Sequence, residues 1–307
     1  MPVLTEPPSA TTQPDLSVVI ASVNGWELLE PTLQALDALP QRARMEIIVV
    51  DAVGGETRER IRAHTPPVEL VASDERLSIP RLRYLGAQRA RGSIVAILED
   101  HGEVSPGWAS AVLKAHRGPW GAVGGPVENG REGLVNWAAF FCEYTAYMGP
   151  LTDGNAIDLP GNNIAYKGPH LRRHAGVLAD GKWESWLNDR IRADGVPLAT
   201  SNDMVVRHIK PFRLGSFLVQ RFHFCRSFAG MRRGDQSWAK RLLYGFGSIA
   251  LPALLLARVT GQVLRKRRHP GWFVASLPLL GVFFTVGAAG EMVGYLFGPG
   301  ASLEHVE

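Results

Sequence analysis

Three acidic residues stand directly behind short apolar runs in this chain: Asp51 after EIIVV, and Glu99 and Asp100 after SIVAIL. An imidazole, His101, follows the last pair, and the acidic stretch HGEVSPGW then closes on Trp108. Carboxylates and an imidazole gathered at strand ends are the residue types that hold a divalent cation and, through it, a phosphate-bearing ligand. Mg²⁺ prefers oxygen donors, so the imidazole tilts the set toward a Mn²⁺-tolerant site. Further along, Glu184 lies between Trp183 and Trp186. A carboxylate shielded from water by two indoles has the surroundings of a general base.

The elements that must position these groups are readable from pattern. LSVVIAS, EIIVVDAVGGE and GSIVAILEDHGE each begin with a β-branched apolar run and end in turn signals, which predicts strands covered on both faces. Helix-like stretches, WELLEPTLQALDAL and RLRYLGAQRA, separate them. Strand and helix in alternation predict an α/β fold with a mostly parallel central sheet, whose ligands gather outside the carboxyl ends of the strands. Asp51, Glu99 and Asp100 fall there.

With these segments in order, residues 15 to 230 or so resemble a family 2 glycosyltransferase of the GT-A fold. SVVIASVNGWELLEPTLQAL is similar to the family's opening strand, polar turn and first helix, with Ala21 and Ser22 closing the strand. EIIVVDAVGGET resembles the second strand, which puts Asp51 where an acid holds the nucleoside. LSIPRLRYLGAQRARGSIVAILED resembles the stretch leading to the metal motif, with Arg83 in it. The family writes that motif as Asp-x-Asp with a Trp downstream; here Glu99-Asp100-His101 and Trp108 stand in its place. The resemblance implies a nucleotide-sugar donor on Ala21, Ser22, Asp51, Arg83, Glu99 and Asp100. It also implies a divalent metal, Mn²⁺ or Mg²⁺, on Asp100 and His101, with His208 as a further ligand from late in the domain. LPGNNIAYKG resembles the strand lining the sugar site, which implies roles for Gly161, Asn162 and Asn163. GKWESWLNDRIRADG keeps the family's Leu, Arg and Gly as Leu187, Arg190 and Gly195. That frame puts Glu184 on the catalytic base, with Trp183 and Arg190 beside the sugar or acceptor, in an inverting transfer.

Composition divides the chain. Residues 1–15 are Pro/Thr-rich without an apolar core and read as a tail, and 16–230 hold the predicted GT-A domain. Two cysteines, Cys142 and Cys225, show no metal spacing and read as reduced thiols. From Arg207 to Arg241 the chain is basic and aromatic, with Asp235 as its single acid. Two apolar runs follow within 242–298, so the basic stretch, and 231–241 in particular, reads as a juxtamembrane collar on anionic lipid head groups rather than a nucleic-acid surface. Residues 299–307 form a second tail. A two-pass hairpin puts Arg265, Lys266, Arg267 and Arg268 across the bilayer, against the positive-inside tendency; a re-entrant or interfacial pair keeps them on the near side. Both arrangements stand on sequence alone, as does a pair of ordinary core helices.

The expected protein is a metal-assisted glycosyltransferase at the cell membrane, its catalytic domain cytoplasmic and its acceptor a lipid or lipid-linked saccharide. An inactive GT-A-like scaffold is the alternative, because the metal triplet departs from the usual one. A nucleotidyltransferase ranks below both, since ASVNGWE after the first strand carries no cation.

Overall fold

The β-branched runs form strands, and their order builds the site. The computed structural model describes residues 13–234 and 236–306; Asp235, most of the amino-terminal tail and Glu307 lie outside the described residues. The strands are β1 (Leu16–Ser22), β2 (Met45–Asp51), β3 (Glu69–Ala72), β4 (Ile94–Glu99), β5 (Gly102–Val104), β6 (Ala122–Gly124), β7 (Val127–Asn129), β8 (Gly154–Ala156), β9 (Asn163–Lys167), β10 (Leu198–Thr200) and β11 (Val206–His208). The helices are α1 (Trp26–Asp37), α2 (Gly55–Ala63), α3 (Ile79–Arg89), α4 (Trp108–Ala115), α5 (Leu134–Tyr144), α6 (Gly168–His174), α7 (Gly176–Ala179), α8 (Glu184–Ala193), α9 (Leu214–Arg233), α10 (Trp238–Gly247), α11 (Leu251–Lys266) and α12 (Pro270–Phe297).

One sheet runs β3-β2-β1-β4-β9-β6-β10-β8, and a small second sheet runs β5-β11-β7. The first four strands are parallel, as the sequence predicts. The second half is not: β9 lies antiparallel between β4 and β6, and β8 is antiparallel to β10. The sheet is therefore mixed. Its later strands are three to five residues long, too short to show a period in the sequence. Val18, Ile20, Ile47 and Val49 face one apolar layer with α1 and α4, while Val19, Ile48 and Val50 face the other with α3 and α8. Strand alternation puts successive residues on opposite faces, which is why buried strands lack a polar side.

The carboxyl-terminal helices belong to the body of the protein. α9 runs without a break across the boundary expected at residue 230. α12 packs along α9 and α5, and the glycines on its inner face permit close contact. A Cβ at Gly290 would lie 2.3 Å from the Phe222 carbonyl oxygen, and one at Gly294 would lie 2.4 Å from that of Arg226. Trp238–Lys266 and Pro270–Phe297 are long and apolar enough to cross a membrane by length and composition. Their connecting turn, however, is docked on the domain that holds the two sheets. Lys266 Nζ donates to the carbonyls of Thr145, Ala146 and Met148, and Arg268 Nη1 pairs with Glu128 Oε1 at 2.6 Å. The far end of α12 rests on α9, where Gly230 abuts Pro299. The contacts of Lys266 and Arg268 hold the basic turn against the domain. The pair lies along one side of the domain, with the outer faces of α10 and α11 exposed: Trp238 is 73% exposed, Leu243 68% and Leu254 62%, with Ile249 between the two helices at 72%.

Candidate active site

β4 ends in the groups that gather at the centre of the site. Glu99 closes β4, and Asp100 and His101 form the turn into β5, with His101 beside Glu99 and Asp100 directed at the β1–α1 turn. β11 pairs with β5 so that His208 stands opposite Gly102, and the His101 and His208 rings meet edge to face with centroids 4.6 Å apart. Glu99, His101 and His208 bring ligand atoms within 4.8 Å of one another.

Asp100, expected among the metal ligands, is used elsewhere. Its Oδ2 accepts from the backbone N–H groups of Val23 and Asn24, both at 2.8 Å. Its Oδ1 accepts from Asn24 Nδ2 at 2.8 Å and lies 2.7 Å from His101 Nδ1. Asp100 thus ties the β1–α1 turn to the metal-capable group and orients the His101 ring, leaving Nε2 toward Glu99. Glu99, not Asp100, is the carboxylate grouped with the two imidazoles.

The donor set fits a divalent cation. Glu99 Oε2 is buried and makes no hydrogen bond; it lies 3.2 Å from His101 Nε2 but off hydrogen-bonding alignment. One carboxylate and two imidazoles, one ring backed by a carboxylate, make a mixed oxygen and nitrogen site suited to Mn²⁺ or a softer ion. Burial opposes charge on His101, but Glu99 and Asp100 outweigh it and push its pKa up to about 9. Burial and the nearby His101 push His208 down to about 3. Burial would raise the Glu99 carboxyl, yet His101 and Arg83 hold it well below the usual range. His101 therefore keeps a proton that an arriving cation would displace.

Glu99 also faces a cavity of about 350 Å³. Arg83, 2% exposed, bridges its wall: Nη1 lies 2.8 Å from Glu184 Oε2 and Nη2 3.7 Å from Glu99 Oε1. Glu184 begins α8, where an acid is favoured by the helix dipole, and its Oε1 is buried without a hydrogen-bond partner. Gly161, Asn162 and Trp183 line the same cavity, and Asn162 Oδ1 is likewise buried without a partner. Trp186 instead packs its ring on Phe228, centroids 4.5 Å apart.

Several expected residues fall outside this cavity. Asn163 is a structural bolt: Nδ2 donates to the Pro126 and Met204 carbonyls and Oδ1 accepts from Trp108 Nε1. Arg190 is exposed on α8, six residues past Glu184 and so on another face of the helix. Asp51 is fully buried, its oxygens taken by the N–H groups of Val53 and Gly54 and by Arg58 Nε at 2.9 Å. It orders the turn after β2 and presents no free carboxylate. Ala21 and Ser22 close β1 beside these turns, with Ser22 Oγ buried and without a partner.

Two groups of residues are not recognisable from sequence. Lys210 and Arg213, expected in the basic collar, join Arg76 around a second cavity of about 600 Å³ that starts at Asn24, next to the metal-capable group. Glu143 lines the catalytic cavity, 4.0 Å from Arg221. A single acid in the apolar run WAAFFCEY is its only signal. Burial pushes Glu143 up to about 7, with Arg221 pulling the other way. An acid whose pKa is raised in the folded state is protonated in both states below about 4.5. As pH rises toward 7, the unfolded chain releases that proton while the folded chain keeps it. Folding then weakens by about 1.4 kcal/mol for every pH interval of one across that window. Glu143→Gln should therefore gain on the wild type in urea midpoint as pH rises from 5 to 7.5; a constant difference would show that Glu143 ionises normally. Cys142 and Cys225 are free thiols.

The profile of glycosyl transferase family 2 matches residues 17–174. Polypeptide N-acetylgalactosaminyltransferase 15 of Homo sapiens is 31% identical over 134 residues, 41% of this chain and 20% of that protein. Polypeptide N-acetylgalactosaminyltransferase 12 of Mus musculus is 32% identical over 143 residues, 44% of this chain and 24% of that protein. The chain thus spans only about a fifth to a quarter of the length of these relatives. A mannosyltransferase from Pyrobaculum calidifontis, solved with GDP-Man and Mn²⁺, superposes with a TM-score of 0.61 at 19% identity, over 92% of this chain and 88% of that one. At that identity the likeness is one of fold.

Proposed function

Because the chain belongs to glycosyl transferase family 2, we propose that it transfers a sugar from a nucleotide-diphosphate donor to a hydroxyl acceptor, with inversion and with a divalent metal on Glu99, His101 and His208. The observation carrying this reading is that the metal-capable group and Glu184 face one cavity, joined by Arg83. A cation there would neutralise charge developing on the diphosphate leaving group. Asn24, held by Asp100, borders both that group and the cavity of Arg76, Lys210 and Arg213, which suits a polyanion. Across the catalytic cavity, Arg83 fixes one Glu184 oxygen and leaves Oε1 free to take the acceptor proton. Gly161 and Asn162, which line that cavity, would contact the sugar. Mn²⁺ in the mannosyltransferase of similar fold supports the metal assignment.

The acceptor proposed is a membrane lipid or lipid-linked saccharide. Support comes from the exposed apolar faces of α10 and α11 flanked by Arg232, Lys240 and Arg241, a surface that suits the anionic interface of a bilayer without requiring a crossing. A cytoplasmic face of the cell membrane is the setting that fits this charge.

Thermal unfolding of the full chain in detergent with UDP, GDP or dTDP, each with Mn²⁺, Mg²⁺ or chelator, tests the donor site. A ligand at a hundred times its Kd adds about 2.7 kcal/mol, enough to raise Tm visibly. One nucleotide should stabilise only with metal, and His208→Ala should lose that metal-dependent increment. Absence of any nucleotide effect would favour the inactive scaffold.

A further inference from the structure

A third cavity, about 520 Å³, lies between α9, the α10–α11 segment and α12. It shares Arg221, Phe224 and Phe228 with the wall of the catalytic cavity, so the two adjoin. Among the described residues its charge is one-sided: Arg221, Arg232 and Arg258 line it against the one carboxylate of Glu291. Arg232 lies over the Phe228 ring at 4.5 Å, and the buried Arg221 Nε makes no hydrogen bond. Leu251, Leu254 and Leu255 give the remaining wall an aliphatic side, with Tyr244, Ser248 and Tyr295 completing it. Leu254 lines the cavity and is yet 62% exposed, which puts the mouth on the apolar outer face beside Ile249.

An occupant of such a space has an alkyl chain at the mouth, an anionic centre among the guanidiniums and a head directed at the catalytic cavity. A free phosphate would leave the aliphatic wall unused, and a neutral lipid would leave the guanidiniums uncompensated. We infer that this cavity binds the phosphate of a lipid acceptor, its acyl or prenyl chain leaving past Leu254 and its hydroxyl-bearing head reaching Glu184. The head, not the phosphate, then supplies the nucleophile, in keeping with a base in the catalytic cavity. The inference rests on the proposed lipid acceptor and adds its chemical class and route of entry.

Binding of a single-chain phospholipid with a hydroxyl head, lysophosphatidylglycerol, is measured by native mass spectrometry on the full chain, beside glycerol phosphate and dodecanol. Arg232 and Arg258 are exposed, so Arg232→Gln/Arg258→Gln should fold normally. The expected result is binding of the lysolipid alone, weakened tenfold or more in the double variant, with Arg258→Gln intermediate. Equal binding of glycerol phosphate would overturn the lipid assignment, equal binding of dodecanol would overturn the phosphate assignment, and an unchanged affinity in both variants would overturn the site. The Mn²⁺-dependent nucleotide shift, measured on the same samples, reports the donor site separately.

Discussion

Glu184→Gln should lower sugar transfer by about 10²- to 10⁴-fold, the usual contribution of a positioned general base. The substitution keeps size and a hydrogen-bonding oxygen toward Arg83, but it removes the lone pair able to accept a proton from the acceptor. Metal-dependent nucleotide binding should persist, because Glu184 lies on the acceptor side of Arg83 and outside the Glu99–His101–His208 group. Its loss would thus appear in kcat with little change in donor affinity. Glu143 is the rival within the same cavity, and its raised pKa suits a base at neutral pH. Rates measured on Glu184→Gln and Glu143→Gln side by side decide between them. Full activity in the first and collapse in the second would transfer the role to Glu143.

Arg83→Met should destabilise the fold by about 3–5 kcal/mol, the range for breaking a buried ion pair from one side. Arg83 is the cation between two largely buried acids, Glu184 at 2.8 Å and Glu99 at 3.7 Å. Without it the two carboxylates share a cavity wall with no opposite charge between them. Urea unfolding reads the effect as a fall in midpoint. Arg83→Met/Glu184→Gln should recover part of the loss, since one stranded charge is then gone. A midpoint in Arg83→Met equal to the wild type would mean that solvent already compensates these acids.

The first half of the fold was legible because its strands are long enough to show their composition and its helices recur between them. β6, β7, β8, β10 and β11 were not, because three-residue strands carry no period; β9 was recognised by resemblance, but not its antiparallel place between β4 and β6. At the site, the motif located the right neighbourhood but not the division of labour within it. Glu99 and Asp100 are chemically alike in sequence; only the folded turn after β4 shows that one lines the cavity and the other clamps the β1–α1 turn. Asp51 and Asn163 stand out in sequence for their polarity, and burial turns both into internal ties. Arg190 keeps its spacing to Glu184, yet six residues is not a whole number of helical turns. Glu143, Lys210 and Arg213 could not be assembled from sequence, since α5, α9 and the segment after β11 are far apart along the chain and meet only in the fold, through contacts such as Glu143 with Arg221 and Asn136 with the Phe212 N–H.

That packing changes what the apolar carboxyl-terminal helices are for. α12 seats its small residues on the backbone of α9, and α9 supplies Gln220, Arg221, Phe224 and Phe228 to the catalytic cavity. A shortened chain that ends before α10, the obvious route to a protein that needs no detergent, would not simply release an enzyme from its tether. It would strip the outer support from a wall of the reaction chamber and expose the apolar side of α5 and α9 to water. In engineering terms, the greasy part of this protein is a buttress, and solubility is better sought on the outer faces of α10 and α11 than by cutting.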